Sequence, residues 1–316
     1  MLNNFIYSLN ATLPVFAVMV LGWILKRTGF LTEEFTKVAD KLVFKVALPS
    51  MLFLDIAEMD PSQLLDGKFV VYGFVVTLIS ILGIWGLTKL LMRDKTQVGA
   101  FVQGAYRSSA AVLGIALITN VYGNAGYAPL MILASVPLYN IFAVVILVLE
   151  AGGGGKLDAA RMKSVVLNVL KNPILIGIFA GAPFAVLQIP IPAMAEKTLS
   201  MLGNLATPLA LLAIGAAFVW DDALKKAKPT VCAVLIKLVA LPALFLPLAV
   251  ALGFRDAQLM AILIMLGSPS TPSGYIMAKQ MGNDHVLANG IVVLATLLAA
   301  VTITGWIFLL RTFGLL

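Results

Sequence analysis

Hydroxyls, prolines and glycines are concentrated in Gly267-Ser268-Pro269-Ser270-Thr271-Pro272-Ser273-Gly274, inside an apolar stretch long enough to cross a bilayer. The chemistry these residues suit is non-covalent recognition of an anion, since hydroxyls and freed backbone N–H groups are both donors. Pro269 and Pro272 lack an N–H, and Gly267 and Gly274 loosen the backbone, so an α-helix cannot run through. In hydrocarbon every freed backbone group needs a partner, so such a break survives only inside protein or beside a water-filled cavity. Secondary transporters build midplane sites from broken helices of this kind.

A second polar cluster, Arg107-Ser108-Ser109 followed by Gly114, interrupts another apolar stretch. A charge at a helix centre costs at least about 2.5 kcal/mol, so Arg107 is expected to face a bundle interior or aqueous cavity; snorkelling to the surface is the alternative. Tyr139-Asn140 lies two residues beyond Pro137 in the following span. The amide there is able to donate and accept at the same site, or to act as interhelical glue. The candidate binding set is therefore Arg107, Ser108, Ser109, Gly114, Tyr139, Asn140, Ser268, Pro269, Ser270, Thr271, Pro272 and Ser273. Taken singly, each hydroxyl has a plainer use, which is to satisfy a carbonyl freed by a nearby proline.

Composition sets the elements that must position these residues. Hydrophobic residues make up 61% of the 316 residues and charged residues 12%, against about 45–50% and about 25% in soluble domains. The chain reads as an all-α polytopic membrane protein with ten spans, at 5–25, 36–57, 69–92, 98–120, 127–149, 165–188, 192–219, 229–252, 257–280 and 286–310. Lys26-Arg27 follow the first span, and most Lys and Arg fall in alternate loops, which places both termini outside; the membrane expected is the plasma (inner) membrane. That asymmetry accounts for the net charge of +7 without nucleic acid as a partner.

A shift of 159 residues lays Pro14 on Pro173, Gly22 on Gly181 and Pro49 on Pro208. Five spans per half make the second copy enter inverted, so residues 1–150 and 165–316 are expected as a five-plus-five inverted repeat, with broken helices 4 and 9 crossing. Residues 151–164 form a Gly-rich cytoplasmic linker. Pro14, Pro49, Pro173, Pro208, Gly267 and Gly274 are the expected break or hinge positions.

Several function classes are excluded. Glu150-Ala151-Gly152-Gly153-Gly154-Gly155-Lys156-Leu157 fails as a phosphate loop, which needs Gly first and Ser or Thr after the lysine. Cys232 alone makes no disulfide and His285 alone shares no metal, so no metal and no cofactor are expected. Cys232 is read as a buried thiol and His285 as a solvated loop residue. Lys37, Lys41 and Lys45 share one helix face and are read mainly as a solvated stripe, with Lys237 read similarly; Asp55 and Glu58 are expected to meet water. No base-activated nucleophile appears, so the chain is not read as an enzyme.

In order along the chain, Leu21-Gly22-Trp23, Lys41-Leu42-Val43-Phe44-Lys45-Val46-Ala47-Leu48-Pro49, Tyr106-Arg107-Ser108-Ser109 and Leu113-Gly114-Ile115-Ala116 form one half of a pattern. Pro137-Leu138-Tyr139-Asn140, Asn172-Pro173 and Ala206-Thr207-Pro208-Leu209-Ala210-Leu211-Leu212-Ala213-Ile214-Gly215 continue it. Together they resemble the auxin efflux carrier family, which holds plant PIN transporters and bacterial malate and malonate permeases. The resemblance implies a scaffold from helices 1, 2, 6 and 7, often dimeric, and a mobile transport domain from helices 3–5 and 8–10. It also implies a small organic anion held where helices 4 and 9 cross, with lipid around the protein. Ala116 stands where family members often have proline, so the fourth-helix break is left to Gly114 and the serines. A sodium-coupled bile-acid-type symporter and an anion channel are the alternative readings.

Overall fold

A computed structural model describes residues 2–58, 66–109, 118, 126–153 and 159–316; for 2–12, 159–162, 164 and 165 it describes the backbone alone. The described residues are helical, with no strand among them. Helix α1 spans Leu2–Arg27, and α2, Glu33–Leu42, runs through a wide π turn at Val43–Ala47 into α3, Leu48–Ala57. Then come α4 (Gly67–Leu91), α5 (Val98–Tyr106), α6 (Ala128–Glu150), α7 (Ala159–Leu170) and α8 (Pro173–Leu187). Helices α9 (Ala193–Gly203), α10 (Ala206–Ala216) and the short α11 (Trp220–Lys225) follow. Helix α12 (Ala227–Leu235) passes through a second wide turn at Ile236–Ala240 into α13 (Leu241–Ala251). The chain closes with α14 (Asp256–Gly267), α15 (Pro272–Gln280) and α16 (His285–Thr312).

Among the described residues, six helical stretches are long and apolar enough to cross a bilayer: Gly67–Leu91, Ala128–Gly153, Ala193–Ala216, Ala227–Ala251, Asp256–Gln280 and His285–Thr312. The protein is therefore a multi-pass helical membrane protein. Caps set where several helices begin. The side chains of Asp66, Asn172 and Asp284 accept from Phe69 N at 3.0 Å, Ile174 N at 2.9 Å and Leu287 N at 2.9 Å, satisfying first-turn donors.

Proline acts in three ways here. Pro14 and Pro137 lie inside helices that continue past them. Pro173 starts α8 at its first position, where the missing N–H is harmless, so the expected span 165–188 is two helices rather than one. Pro208 sits in the first turn of α10, and the break in the expected span 192–219 falls just ahead of it, at Asn204-Leu205. Pro49 and Pro242 each follow a wide turn, because neither can donate to the carbonyl four residues back.

Glycines let two pairs of helices touch backbone to backbone. At Gly22 of α1 a Cβ would fall 2.3 Å from Leu212 O of α10, and at Gly215 of α10 it would fall 1.8 Å from Met19 O. Across the bundle the same happens between α8 and α3, where a Cβ on Gly181 would meet Phe53 O at 2.6 Å and one on Gly177 would meet Pro49 O at 2.5 Å. Small residues at such crossings are how membrane helices gain close packing without a hydrophobic drive.

Other helices cluster around α14, in which Leu259 to Gly267 is buried without interruption. Helix α4 packs on α6, α12 on α16, and α14 against α13. At one end of this cluster Lys226 pairs with Asp284 at 2.8 Å and lies 4.0 Å from Asp94, joining three connecting segments. Hydrogen bonds from Thr96 and Gln97 hold Asp94 below the usual carboxylate range. Cys232 corrects a sequence expectation: it is exposed on α12, because in a membrane protein an apolar position can face lipid as well as core.

The packing at Gly215 generates a test. Gly215→Val should destabilise the purified protein by at least about 1–3 kcal/mol, since backbone on α1 must move. Gly83→Val, where a Cβ meets nothing within 4 Å, should stay within about 0.5 kcal/mol. Thermal unfolding followed by size-exclusion chromatography compares the two, and equal melting temperatures would refute the close α1–α10 contact.

Candidate functional site

The apolar stretch from Asp256 to Gln280 breaks as its prolines and glycines require. Helix α14 stops at Gly267, Ser268 and Thr271 are extended, and α15 restarts with Pro272 in its first turn. Helix α5 likewise stops at Tyr106, with Arg107 extended. The two irregular segments join directly, Ser109 N donating to Pro269 O at 2.9 Å. Ser108 Oγ donates to Ile264 O at 3.2 Å and bonds Ser268 Oγ. Gly114 lies outside the described residues.

The carbonyl end of α14 is closed by side chains from elsewhere. Ile264 O takes Ser108, Met265 O takes Tyr139 Oη at 3.1 Å, and Met265 O and Leu266 O take Lys237 Nζ at 3.2 and 2.6 Å. Lys237 is 0% exposed, so its reading as a solvated lysine is wrong. The wide turn at Ile236–Ala240, invisible in the hydropathy of the span, turns this side chain inward. Lys37, Lys41 and Lys45 are exposed.

Arg107 is 5% exposed and reaches only neutral acceptors. Its Nε donates to Thr271 Oγ1 at 2.6 Å, Nη1 to Met277 Sδ at 3.5 Å, and Nη2 to Asn140 Oδ1 at 2.7 Å and Ser273 Oγ at 3.1 Å. Asn140 is oriented by its own donation to Val136 O at 3.0 Å, and Thr271 and Ser273 bond each other at 2.9 Å. Tyr106 stacks on Tyr139 with centroids 5.9 Å apart and donates to Tyr139 O at 3.3 Å, which fixes α5 against α6. Among the described residues no carboxylate pairs with this guanidinium. Among the described residues its five N–H donors meet four acceptors, all neutral.

A cavity of about 440 Å³ opens beside these groups. Its wall includes Arg107, Ser108, Ser109, Tyr139 and Asn140, and beside them Pro269, Ser270, Thr271, Pro272 and Ser273. Ser268 is fully buried behind the wall and serves Ser108 instead. Gly274 carries no side chain between the break and Gln103 or Arg107, and Gly267 packs against Pro242. Pro14, Pro49, Pro173 and Pro208 line none of it.

The far wall comes from α3 and the α9–α10 junction, including Met51, Asp55, Asn204 and Thr207, with Thr296 of α16. Sequence reading did not assign these to the site. The signal was a polar residue in an apolar span, as at Thr296, or a charge near a span end, as at Asp55. A buried positive charge, hydroxyl and amide donors and a cavity of this size together suit a small anion.

The sequence pattern of the Membrane transport protein family matches residues 7–307. A Rhizobium meliloti protein named "Putative malonate transporter" is 22% identical over 305 residues, covering 95% of each chain. An Escherichia coli K12 protein named "Uncharacterized transporter YfdV" is 22% identical over 320 residues, covering 98% of this chain and 99% of that one. A Methanocaldococcus jannaschii protein, "Uncharacterized transporter MJ1031", is 24% identical over 314 residues, covering 95% and 99%. The chain belongs to the Membrane transport protein family, that of the auxin efflux carriers, and is a transporter rather than an enzyme.

Proposed function

We propose that the protein is a secondary transporter of a small organic anion, a carboxylate such as malate, malonate or an auxin-like acid. The observation that carries this reading is the Arg107 guanidinium, buried in the cavity wall with neutral acceptors alone among the described residues. A carboxylate entering the cavity supplies the missing counter-charge through a charge-assisted bond, and the N-terminal turn of α15 adds the positive end of its dipole. The name of the Rhizobium relative agrees with a dicarboxylate.

Alternating access is the mechanism that the packing favours. The Gly22–Leu212 contact and the Gly181–Phe53 contact are the same contact displaced by 159 residues in each partner. That correspondence supports ten helices in a five-plus-five inverted repeat, 1–150 and 165–316, with both termini outside the inner membrane. Helices α1, α2–α3, α7–α8 and α9–α10 then form the scaffold, through which the protein dimerises. The remaining helices carry the cavity past it, with α5 and the α14–α15 pair as halves of the crossing broken helices. Saturable counterflow of labelled substrate separates this carrier from a channel.

Arg107→Ala should weaken binding by roughly 10–100-fold, the worth of a charge-assisted hydrogen bond of about 1.5–3 kcal/mol. Arg107→Lys should rescue poorly, because an ammonium cannot hold Thr271, Asn140 and Ser273 in one plane. Uptake of labelled malonate, malate and an aromatic monocarboxylate into proteoliposomes measures both. Wild-type affinity in the alanine variant, with the protein folded, would refute the assignment.

Pro269 and Pro272 act through the break. Replacing both with alanine should let α14 and α15 join, withdrawing Thr271 and Ser273 from Arg107. Binding should fall sharply while the melting temperature rises, since a segment held open for function has relaxed. Unchanged binding in that double variant would sink the broken-helix site.

A further inference from the structure

Lys237 is buried in the centre of the bundle, and no described carboxylate pairs with it. Its ammonium touches the last carbonyls of α14, Met265 O at 3.2 Å and Leu266 O at 2.6 Å, immediately before the break. The end of a half-helix carries partial negative charge, and broken-helix transporters use such carbonyl ends to coordinate a coupling cation. Here a covalently attached cation already occupies that position.

The surroundings hold it there. Pro242 cannot donate to Leu238 O, and that carbonyl accepts instead from Trp306 Nε1 at 3.0 Å. Leu241 N donates to Ile236 O across the wide turn, and Gly267 packs against the Pro242 ring. Turn, indole and ring together fix the root of the lysine directly beside the break. Tyr139, a cavity residue, shares Met265 O with the ammonium, so the cation and the cavity wall meet on one atom.

We propose that Lys237 is a tethered substitute for a coupling metal cation: it neutralises the carbonyl end of α14, so the anion site forms without sodium or potassium from the medium. This inference rests on reading the 267–274 break as the transport site.

Ion substitution and two variants test it. Wild-type binding and proteoliposome uptake of labelled malonate should be the same in sodium, potassium or choline chloride at one ionic strength, and sodium should not shift its melting temperature. Lys237→Ala should lose roughly ten-fold or more in affinity in choline, the scale of a lost charged hydrogen bond. Added sodium, lithium or ethylammonium should restore part of that affinity and raise the variant's melting temperature, leaving wild type unmoved. Lys237→Gln keeps two donors but no charge, and should behave like the alanine variant.

A sodium requirement in wild type overturns the proposal. So does a folded alanine variant that no small cation stabilises, or a glutamine variant that matches wild type. If neither variant folds, wild-type ion substitution decides alone. If wild type carries none of the tested anions, the transport reading fails, and the cation-induced melting shift of Lys237→Ala still decides the role of Lys237.

Discussion

Every feature of the site follows from one constraint: backbone groups released by a break at membrane depth must find partners other than water. Four residues, Ser268 to Thr271, separate α14 from α15, and the groups they free are met from several directions. Ser109 N satisfies Pro269 O, Ser108 and Tyr139 satisfy Ile264 O and Met265 O, and Lys237 satisfies Met265 O and Leu266 O. These partners come from the irregular extension of α5, from α6 and from the wide turn after α12. The break therefore dictates which segments must gather around it, and two of them, the extension of α5 and α6, form one wall of the cavity with it.

The break and its charge were legible in the sequence for a simple reason. Proline, glycine and arginine are costly in an apolar span, so their presence there demands a use. Tyr139 and Asn140 were legible on the same ground, and the structure brings both to Arg107 or to α14. Lys237 was not. Nothing in a span's hydropathy tells which way one lysine turns, and its direction here depends on a wide turn that Pro242 forces and Trp306 supports. Asp55 and Thr207 escaped because they come from the facing helices, which only tertiary packing sets opposite the break. Cys232 was misjudged because hydrophobicity in a membrane protein does not separate core from lipid face.

Backbone contact at glycine carried more information than the sequence matches alone. Gly22 and Gly181 align under the 159-residue shift, which is weak as a coincidence of letters. In the fold they press on Leu212 O and Phe53 O, which are themselves related by the same shift. A pair of residues agreeing with a pair of residues constrains geometry, where single matches constrain only composition. Two backbone-to-backbone crossings of this kind join α1 to α10 and α3 to α8, the helices that include the far wall of the cavity.

The two buried cations divide the broken helix into unlike halves. Behind the break, three carbonyls at the negative end of α14 are met by Lys237, Tyr139 and Ser108. Ahead of it, the positive end of α15 begins at Thr271, Pro272 and Ser273 in the cavity wall, beside a guanidinium whose acceptors are all neutral. Had the charges been exchanged, with a carboxylate near Thr271 and no lysine at 237, the same backbone would favour a metal ion. On the proposed reading, the sign of the bound species is set by two side chains placed on a break whose geometry is indifferent to sign.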